Sequence, residues 1–143
     1  MSEVQKHLFI VRGLPSSGKT SFANDLAKAK SSELGIDLKA HAADDYFYEI
    51  GNGEYAFSFE KLGAAHMQCF RRVEKDLSDH GIAIVANTFV KQTDINKYVK
   101  LAESYGARVT SLIIEKRHDN KNSHNVPEET MDNMEKSFVI KLR

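Results

Sequence analysis

Gly13-Leu14-Pro15-Ser16-Ser17-Gly18-Lys19-Thr20 is the stretch on which the fold turns. Its pattern is glycine, four residues, glycine, lysine and a hydroxyl residue, which cradles phosphate only when a strand precedes it and a helix follows. Both flanks are present. Leu8, Phe9, Ile10 and Val11 form an apolar run of β-branched and aromatic residues that reads as a short buried strand over residues 7–11, ending at Arg12 and Gly13. Phe22, Leu26 and Ala29 then recur at helical spacing from residue 20 to about residue 30, with no proline between them. A chance glycine-rich turn would lack these flanks. The glycines let the backbone curl so that amide groups point inward, and the helix offers its positive end to the same anion. Gly13, Pro15, Ser16, Ser17, Gly18, Lys19, Thr20 and Ser21 are therefore the expected nucleotide-binding residues. Lys19 is placed to reach the β and γ phosphates, Thr20 to ligate magnesium through its hydroxyl, and Ser21 to add a hydrogen bond.

Outward from this loop the same alternation repeats. Residues 38–42 can carry a second strand before the pair Asp44 and Asp45, and Gly51, Asn52 and Gly53 mark a loop. Phe59, Leu62, His66, Met67, Phe70, Val73 and Leu77 follow three-four spacing up to His80, predicting a long helix that Gly81 ends. Residues 82–86 are the most continuous apolar run, as a central parallel strand requires. Ile95, Tyr98, Val99, Leu101 and Ala102 predict another helix ending near Gly106, and residues 109–114 one more strand. Beyond Glu115 the chain is polar until Pro127 and two glutamates open a last helix, so residues 116 to about 127 have the composition of a lid. Strands alternating with helices specify an α/β fold with a parallel sheet covered on both faces.

The composition supports one such domain over residues 1–143, with 41% hydrophobic residues and no internal repeat. Twenty basic residues balance 20 acidic ones, so any attraction for phosphate is local and the whole-molecule charge singles out neither nucleic acid nor membrane. The lone cysteine, Cys69, excludes an internal disulfide and favours a reducing, cytoplasmic setting. The apolar run at residues 8–11 falls far short of the roughly 20 residues of a membrane span, so a soluble protein is expected.

Phosphate binding alone does not name a reaction. In a parallel sheet the carboxyl ends of neighbouring strands sit together beside the loop, which puts Asp44 and Asp45 where a carboxylate can meet an acceptor hydroxyl. Asp44 is the candidate general base and Asp45 a candidate for holding the acceptor, while either can instead cap the helix that begins near Tyr46. Asn87 and Thr88 close the apolar strand at the same edge and can hold the acceptor or a magnesium water, or simply make the turn. Ala86 stands where many enzymes with this loop have an acidic residue. Arg117 and Lys121 can swing positive charge over the triphosphate or be solvated idly. His66 and Cys69, three apart on the long helix, can be a metal pair but without further ligands read more simply as packing. His41 and His118 show no ligand spacing.

Together these residues resemble the polynucleotide 5′-hydroxyl kinase family, including the kinase domain of phage end-healing enzymes and related AAA-33-type P-loop kinases. The likeness runs through residues 13–20, Ala43-Asp44-Asp45-Tyr46-Phe47, Tyr55-Ala56-Phe57 leading to Ala65-His66, Asn87-Thr88, and the lid segment Lys121-Asn122-Ser123-His124-Asn125-Val126-Pro127. It implies a P-loop NTPase three-layer sandwich with a mainly parallel sheet of about four to five strands and a short lid. It also implies ATP and magnesium at Lys19 and Thr20, Asp44 as general base, Lys121 in place of a phosphate-clamping arginine, Arg117 as a second clamp, and His124 positioning the lid. Ala86, Lys121 and Phe47 depart from the family pattern, and each departure concerns phosphate or metal.

The expected activity is transfer of the γ-phosphate of ATP to a hydroxyl, foremost the 5′-hydroxyl of a nucleic-acid end. A small-molecule acceptor such as a nucleoside or sugar is the alternative, and a non-catalytic nucleotide-binding switch or partner-binding module is the alternative of another class. ATP is expected over GTP because the resemblance implies it and no asparagine-lysine-x-aspartate motif is visible. Oligomeric state leaves no mark in the sequence.

Overall fold

The computed structural model describes residues 5–116 and 126–140. The element order is β1 (His7–Arg12), α1 (Lys19–Leu34), β2 (Ala40–His41), α2 (Asp44–Ile50), a 3-10 turn (Phe59–Lys61), α3 (Leu62–His80), β3 (Ile82–Asn87), α4 (Gln92–Ser104), β4 (Arg108–Ile113) and α5 (Glu128–Ser137). The four strands of the described sheet lie in the order β2-β3-β1-β4. All their pairings are parallel, with β1 between β3 and β4 and β2 at the edge beside β3.

Alternation along the central strands divides the interior in two. Leu8 and Ile10 of β1 and Ala83 and Val85 of β3 face α3 and α4, burying Cys69, Val73, Leu77, Tyr98 and Ala102. Phe9 and Val11, with Ile82, Ile84 and Ala86, face α1 and bury Ala23, Ala27 and Leu38. Period-two side chains on a sheet with helices on both faces give the three-layer sandwich expected from the apolar runs. A small third cluster packs Ala43 and Phe47 of α2 against Ala65 of α3, beside Tyr55 and Leu62.

Differences from the sequence expectation lie at element ends. β2 shrinks to Ala40–His41 because it is an edge strand with one neighbour. The long helix begins as the 3-10 turn and becomes α-helical at Leu62. α1 starts at Lys19 and runs on to Leu34, where Gly35 in the left-handed region stops it. Most of the expected lid, residues 117–125 with Arg117, Lys121 and His124, lies outside the described residues. Among the described residues no helix is long and apolar enough to cross a membrane.

Leu77 is fully buried in the larger cluster. Leu77→Ala is expected to lower the unfolding free energy by about 2–5 kcal/mol, read from urea denaturation as an earlier midpoint with an unchanged slope. A loss below about 1 kcal/mol would mean that this cluster does not carry the stability of the α3 face.

Candidate functional site

β1 delivers the chain into a loop with no spare volume at its first residue. A Cβ on Gly13 would lie 2.3 Å from Ser17 Oγ and 2.9 Å from the Ile114 carbonyl oxygen. The loop closes on itself where the Ser17 N–H donates to the Leu14 carbonyl at 3.1 Å. Ser16 and Gly18 both take left-handed backbone, at φ 66° and 96°, on either side of Ser17. Such alternation turns successive amides to one side, the concavity that holds anions. α1 starts directly at Lys19, and its N-cap Gly18 supplies no side-chain hydrogen bond. The first-turn amides of a 16-residue helix therefore face the loop with its positive dipole end behind them. These features suit a polyphosphate.

Lys19 Nζ folds back over the loop and donates to the Leu14 carbonyl at 3.4 Å, long enough to be given up at little cost. Burial pushes its ammonium below the ordinary lysine value, and the nearby Asp44 carboxylate pushes the other way. A desolvated cation facing a carboxylate is what a phosphate-binding lysine needs, since its field is weakly screened there. Thr20 is exposed at the first turn beside it, so a hard hydroxyl donor is available to a magnesium ion bound with the phosphates.

Asp44 and Asp45 open α2 and have different surroundings. Asp45 turns back on its own helix, its Oδ2 accepting the Ala42 N–H at 3.0 Å, which is the capping role. Burial lifts its carboxyl above the ordinary aspartate value, opposed by that hydrogen bond and by His41 and Arg72. Asp44 instead faces Tyr55, whose hydroxyl donates to Asp44 Oδ1 at 2.8 Å. Burial and this bond raise Tyr55 far above its usual range, so it remains a donor.

Asn87, at the end of β3, ties the two halves of the site together. Its Oδ1 accepts the Ala43 N–H at 2.8 Å, and its Nδ2 donates to Cys69 Sγ at 3.7 Å. The amide thereby fixes the start of α2, and with it Asp44, to the strand next to β1. Thr88 follows half-buried. Cys69 also receives the Tyr98 hydroxyl at 3.5 Å, and burial raises its thiol. His66 is lowered by burial, with Lys97 adding to this and Asp94 and Asp44 opposing it. Among the described residues no three His, Cys, Asp or Glu side chains converge to hold a metal. His41 pairs with Asp76 at 2.7 Å, joining β2 to α3. Phe47, at the position of a family arginine, is fully buried against Tyr46, Tyr55 and Phe57.

Two contributors escape sequence reasoning. Arg12 is only 4% exposed although it ends β1 immediately before Gly13. Its guanidinium donates through Nε and Nη2 to the Phe89 carbonyl at 3.2 and 2.9 Å and through Nη2 to the Val139 carbonyl. It also lies 4.5 Å from the centre of the Phe138 ring. Phe89 needs that hold, because it takes left-handed backbone at φ 50°. A charged residue closing an apolar strand is the available signal, since arginine is rarely buried without partners. Tyr55 is the other contributor, and only its place in the Tyr55-Ala56-Phe57 pattern hinted at a role.

An all-parallel three-layer sheet whose first strand runs through a glycine loop into a helix defines a P-loop NTPase with a kinase-like fold. The chain belongs to the AAA_33 family, an AAA domain, which matches residues 8–139. It is 35% identical over 106 residues to NEDD4-binding protein 2 of Homo sapiens, a match covering 71% of this chain and 5% of that protein. Among solved structures it is similar to the Pnkp1/Rnl/Hen1 RNA repair complex, with TM-score 0.60 and 17% identity over 93% of this chain and 37% of the other. It is also similar to the Mycobacterium tuberculosis APS kinase CysC in complex with AMPPNP and APS, with TM-score 0.54 and 17% identity over 92% and 69% of the two chains.

The crowding at Gly13 makes Gly13→Ala a sharp probe. The added methyl must displace Ser17 or the Ile114 backbone, and binding of a fluorescent ATP analogue is expected to weaken about tenfold or more, with a lower melting temperature. Unchanged affinity would show that the loop does not need this close approach.

Asp45 gives a pH test. A carboxyl held above its unfolded value stabilises the fold fully below that value, 3.8, and loses this contribution as pH rises through the folded pKa. Asp45→Asn keeps an oxygen for the Ala42 N–H and carries no charge. Its urea-unfolding stability is expected to be flatter than the parent's above about pH 4 and at least equal at pH 7. Steeper loss in the variant would refute the buried-carboxyl account.

Proposed function

We propose that this chain is an ATP- and magnesium-dependent phosphotransferase that moves the γ-phosphate to a hydroxyl, foremost the 5′-hydroxyl of a nucleic-acid end. The observation that carries this proposal is the opposition of Lys19 and Asp44, a buried cation and a carboxylate close enough to act on each other, at the carboxyl ends of adjacent parallel strands. The likeness to an RNA repair complex supports the nucleic-acid acceptor. The likeness to an APS kinase holding AMPPNP and APS favours a second reading, a small hydroxyl acceptor, on the same chemistry.

In this mechanism the loop amides and α1 hold the phosphates, and Lys19 leaves the Leu14 carbonyl for the β and γ oxygens. Asp44 takes the proton of the acceptor hydroxyl as its oxygen bonds to the γ-phosphorus and the bond to the β-bridging oxygen breaks, giving ADP. Tyr55 holds one Asp44 oxygen in place and leaves the other for that proton. Asn87 fixes α2 and so sets the distance of Asp44 from the loop. Magnesium, bound with the triphosphate at Thr20, would neutralise charge on the phosphate oxygens. Arg117 and Lys121 are proposed to add positive charge from the lid. Asp45 and Thr88 are proposed to line the acceptor side, with Asp45 acting through the start of α2.

The test is transfer from labelled ATP to a 5′-hydroxyl oligonucleotide. Lys19→Ala and Asp44→Asn are each expected to lower the rate about 100-fold or more, with Asp44→Asn leaving ATP affinity intact. Full activity in Asp44→Asn would remove it as the base. Transfer to nucleosides with indifference to oligonucleotides would select the small acceptor, and nucleotide binding with no transfer to either would leave a switch or partner-binding module.

A further inference from the structure

Leading away from Asp44 is an aromatic surface that the proposed chemistry does not use. Phe47 is buried, and around it sit Tyr55, with ring centroids 5.9 Å away, and Phe57 at 5.1 Å. Tyr48 lies 5.2 Å from Tyr55. Tyr55 and Phe57 present nearly parallel planes, 24° apart with centroids 6.4 Å apart. Their solvent exposure is what needs explaining, since Phe57 is 54% and Phe59 80% exposed. Large aromatics are normally covered, and a cluster left open marks a binding surface.

What covers it follows from continuity with the reaction centre. Tyr55 belongs to both places, because its ring is part of the aromatic cluster and its hydroxyl holds Asp44. An acceptor that offers a hydroxyl to Asp44 must extend past Tyr55, and the next groups it meets are Phe57 and Phe59. Flat rings without a dedicated cation suit a ligand whose own flat ring lies a short, fixed distance from its hydroxyl. The base of a nucleotide stands in that relation to its 5′-hydroxyl, and stacking on aromatic side chains holds bases without reading their edges. We infer that Phe57 and Phe59, backed by Tyr55, form a stacking platform for the nucleobase of the phosphate acceptor. This inference rests on the phosphotransferase reading above for the position of the hydroxyl, but not for the existence of the platform.

The inference predicts recognition of the base without preference among sequences. It also locates the acceptor on the α2–α3 side of the phosphate loop, so stacking and nucleotide binding should be separable. A free nucleoside and the terminal nucleotide of a strand share this ring, and only measurement with both distinguishes the source.

The experiment measures binding of a fluorescent single-stranded 5′-hydroxyl oligonucleotide and of a nucleoside in the absence of ATP, and then KM for each in transfer. The proteins are the parent, Phe59→Ala, the Phe57→Ala/Phe59→Ala double variant, and Phe57→Leu/Phe59→Leu. The double alanine variant is expected to weaken acceptor binding and raise KM about tenfold, with affinity for an ATP analogue unchanged. Leucine, apolar but without a π face, should not restore binding, whereas Phe59→Trp should. The parent should also bind an oligonucleotide with an abasic 5′ end about tenfold more weakly, and the double variant should lose that discrimination. Phe59→Ala, at so exposed a position, keeps the test valid if Phe57 proves to be needed for folding. Equal binding by parent and variants, or full rescue by leucine, overturns the platform while leaving Lys19- and Asp44-dependent transfer intact. Base-dependent binding with no transfer keeps the platform and removes the kinase reading.

Discussion

The parallel pairing of β1 with β3 is the constraint on which the site depends. In its register Val11 lies opposite Ala86 and Arg12 opposite Asn87, so both strands end at the same level. β1 then delivers the phosphate loop, and β3 delivers Asn87, which grips the start of α2. A slip of one residue would turn the apolar set of either strand to the wrong helical layer. Because helices cover both faces, such a slip would bury neither layer correctly. The two cores therefore enforce the register, and the register sets the spacing between Lys19 and Asp44. Core packing and site geometry are here one constraint met twice.

This dependence explains what was legible in the sequence. Strands buried on both faces read as unbroken apolar runs, and residues 8–11 and 82–86 are such runs, so the layer order followed from local pattern alone. The glycine loop was legible because its requirement is also local, set by a left-handed residue at Gly18 and a missing Cβ at Gly13. Asp44 was legible from its place after a strand. Tyr55 and Arg12 were not, because their partners lie 11 and 77 or more residues away in the chain. The length of β2 was overread since an edge strand with one neighbour leaves its ends without ladder bonds. Asp45 and Asn87 show the complementary difficulty, for their types suit both catalysis and capping, and only the structure shows their oxygens taken by Ala42 and Ala43.

Arg12 adds a feature that the loop motif does not contain. Burial lowers its pKa from the ordinary 12.5, yet guanidinium keeps its proton in proteins. Its charge faces the Phe89 and Val139 carbonyls, dipoles that satisfy its donors without cancelling a full unit of charge. A positive charge fixed immediately before Gly13, in surroundings that screen it poorly, favours an anion in the loop before Lys19 moves. The same side chain draws the segment after α5 onto the exit of β3, where the Val139 N–H also donates to the Val90 carbonyl at 2.8 Å. The described end of the chain is thus tied to the floor of the phosphate site.

Charge balance and aromatic placement then bear on how an acceptor is chosen. With equal numbers of acidic and basic residues, the molecule has no net charge with which to steer a polyanion from a distance. The basic residues of α2 and α3 nearest the site are also engaged elsewhere, as Arg72 is by Glu49 through two hydrogen bonds. Phe47 adds no charge where the family pattern has an arginine, and instead serves as the buried support under Tyr55 and Phe57. Replacing a charge by a ring at that position removes a grip on phosphate and creates the base of a flat apolar surface. Recognition in this chain thereby moves from the acceptor's phosphate toward its ring, while the phosphate-binding work stays with the loop and α1.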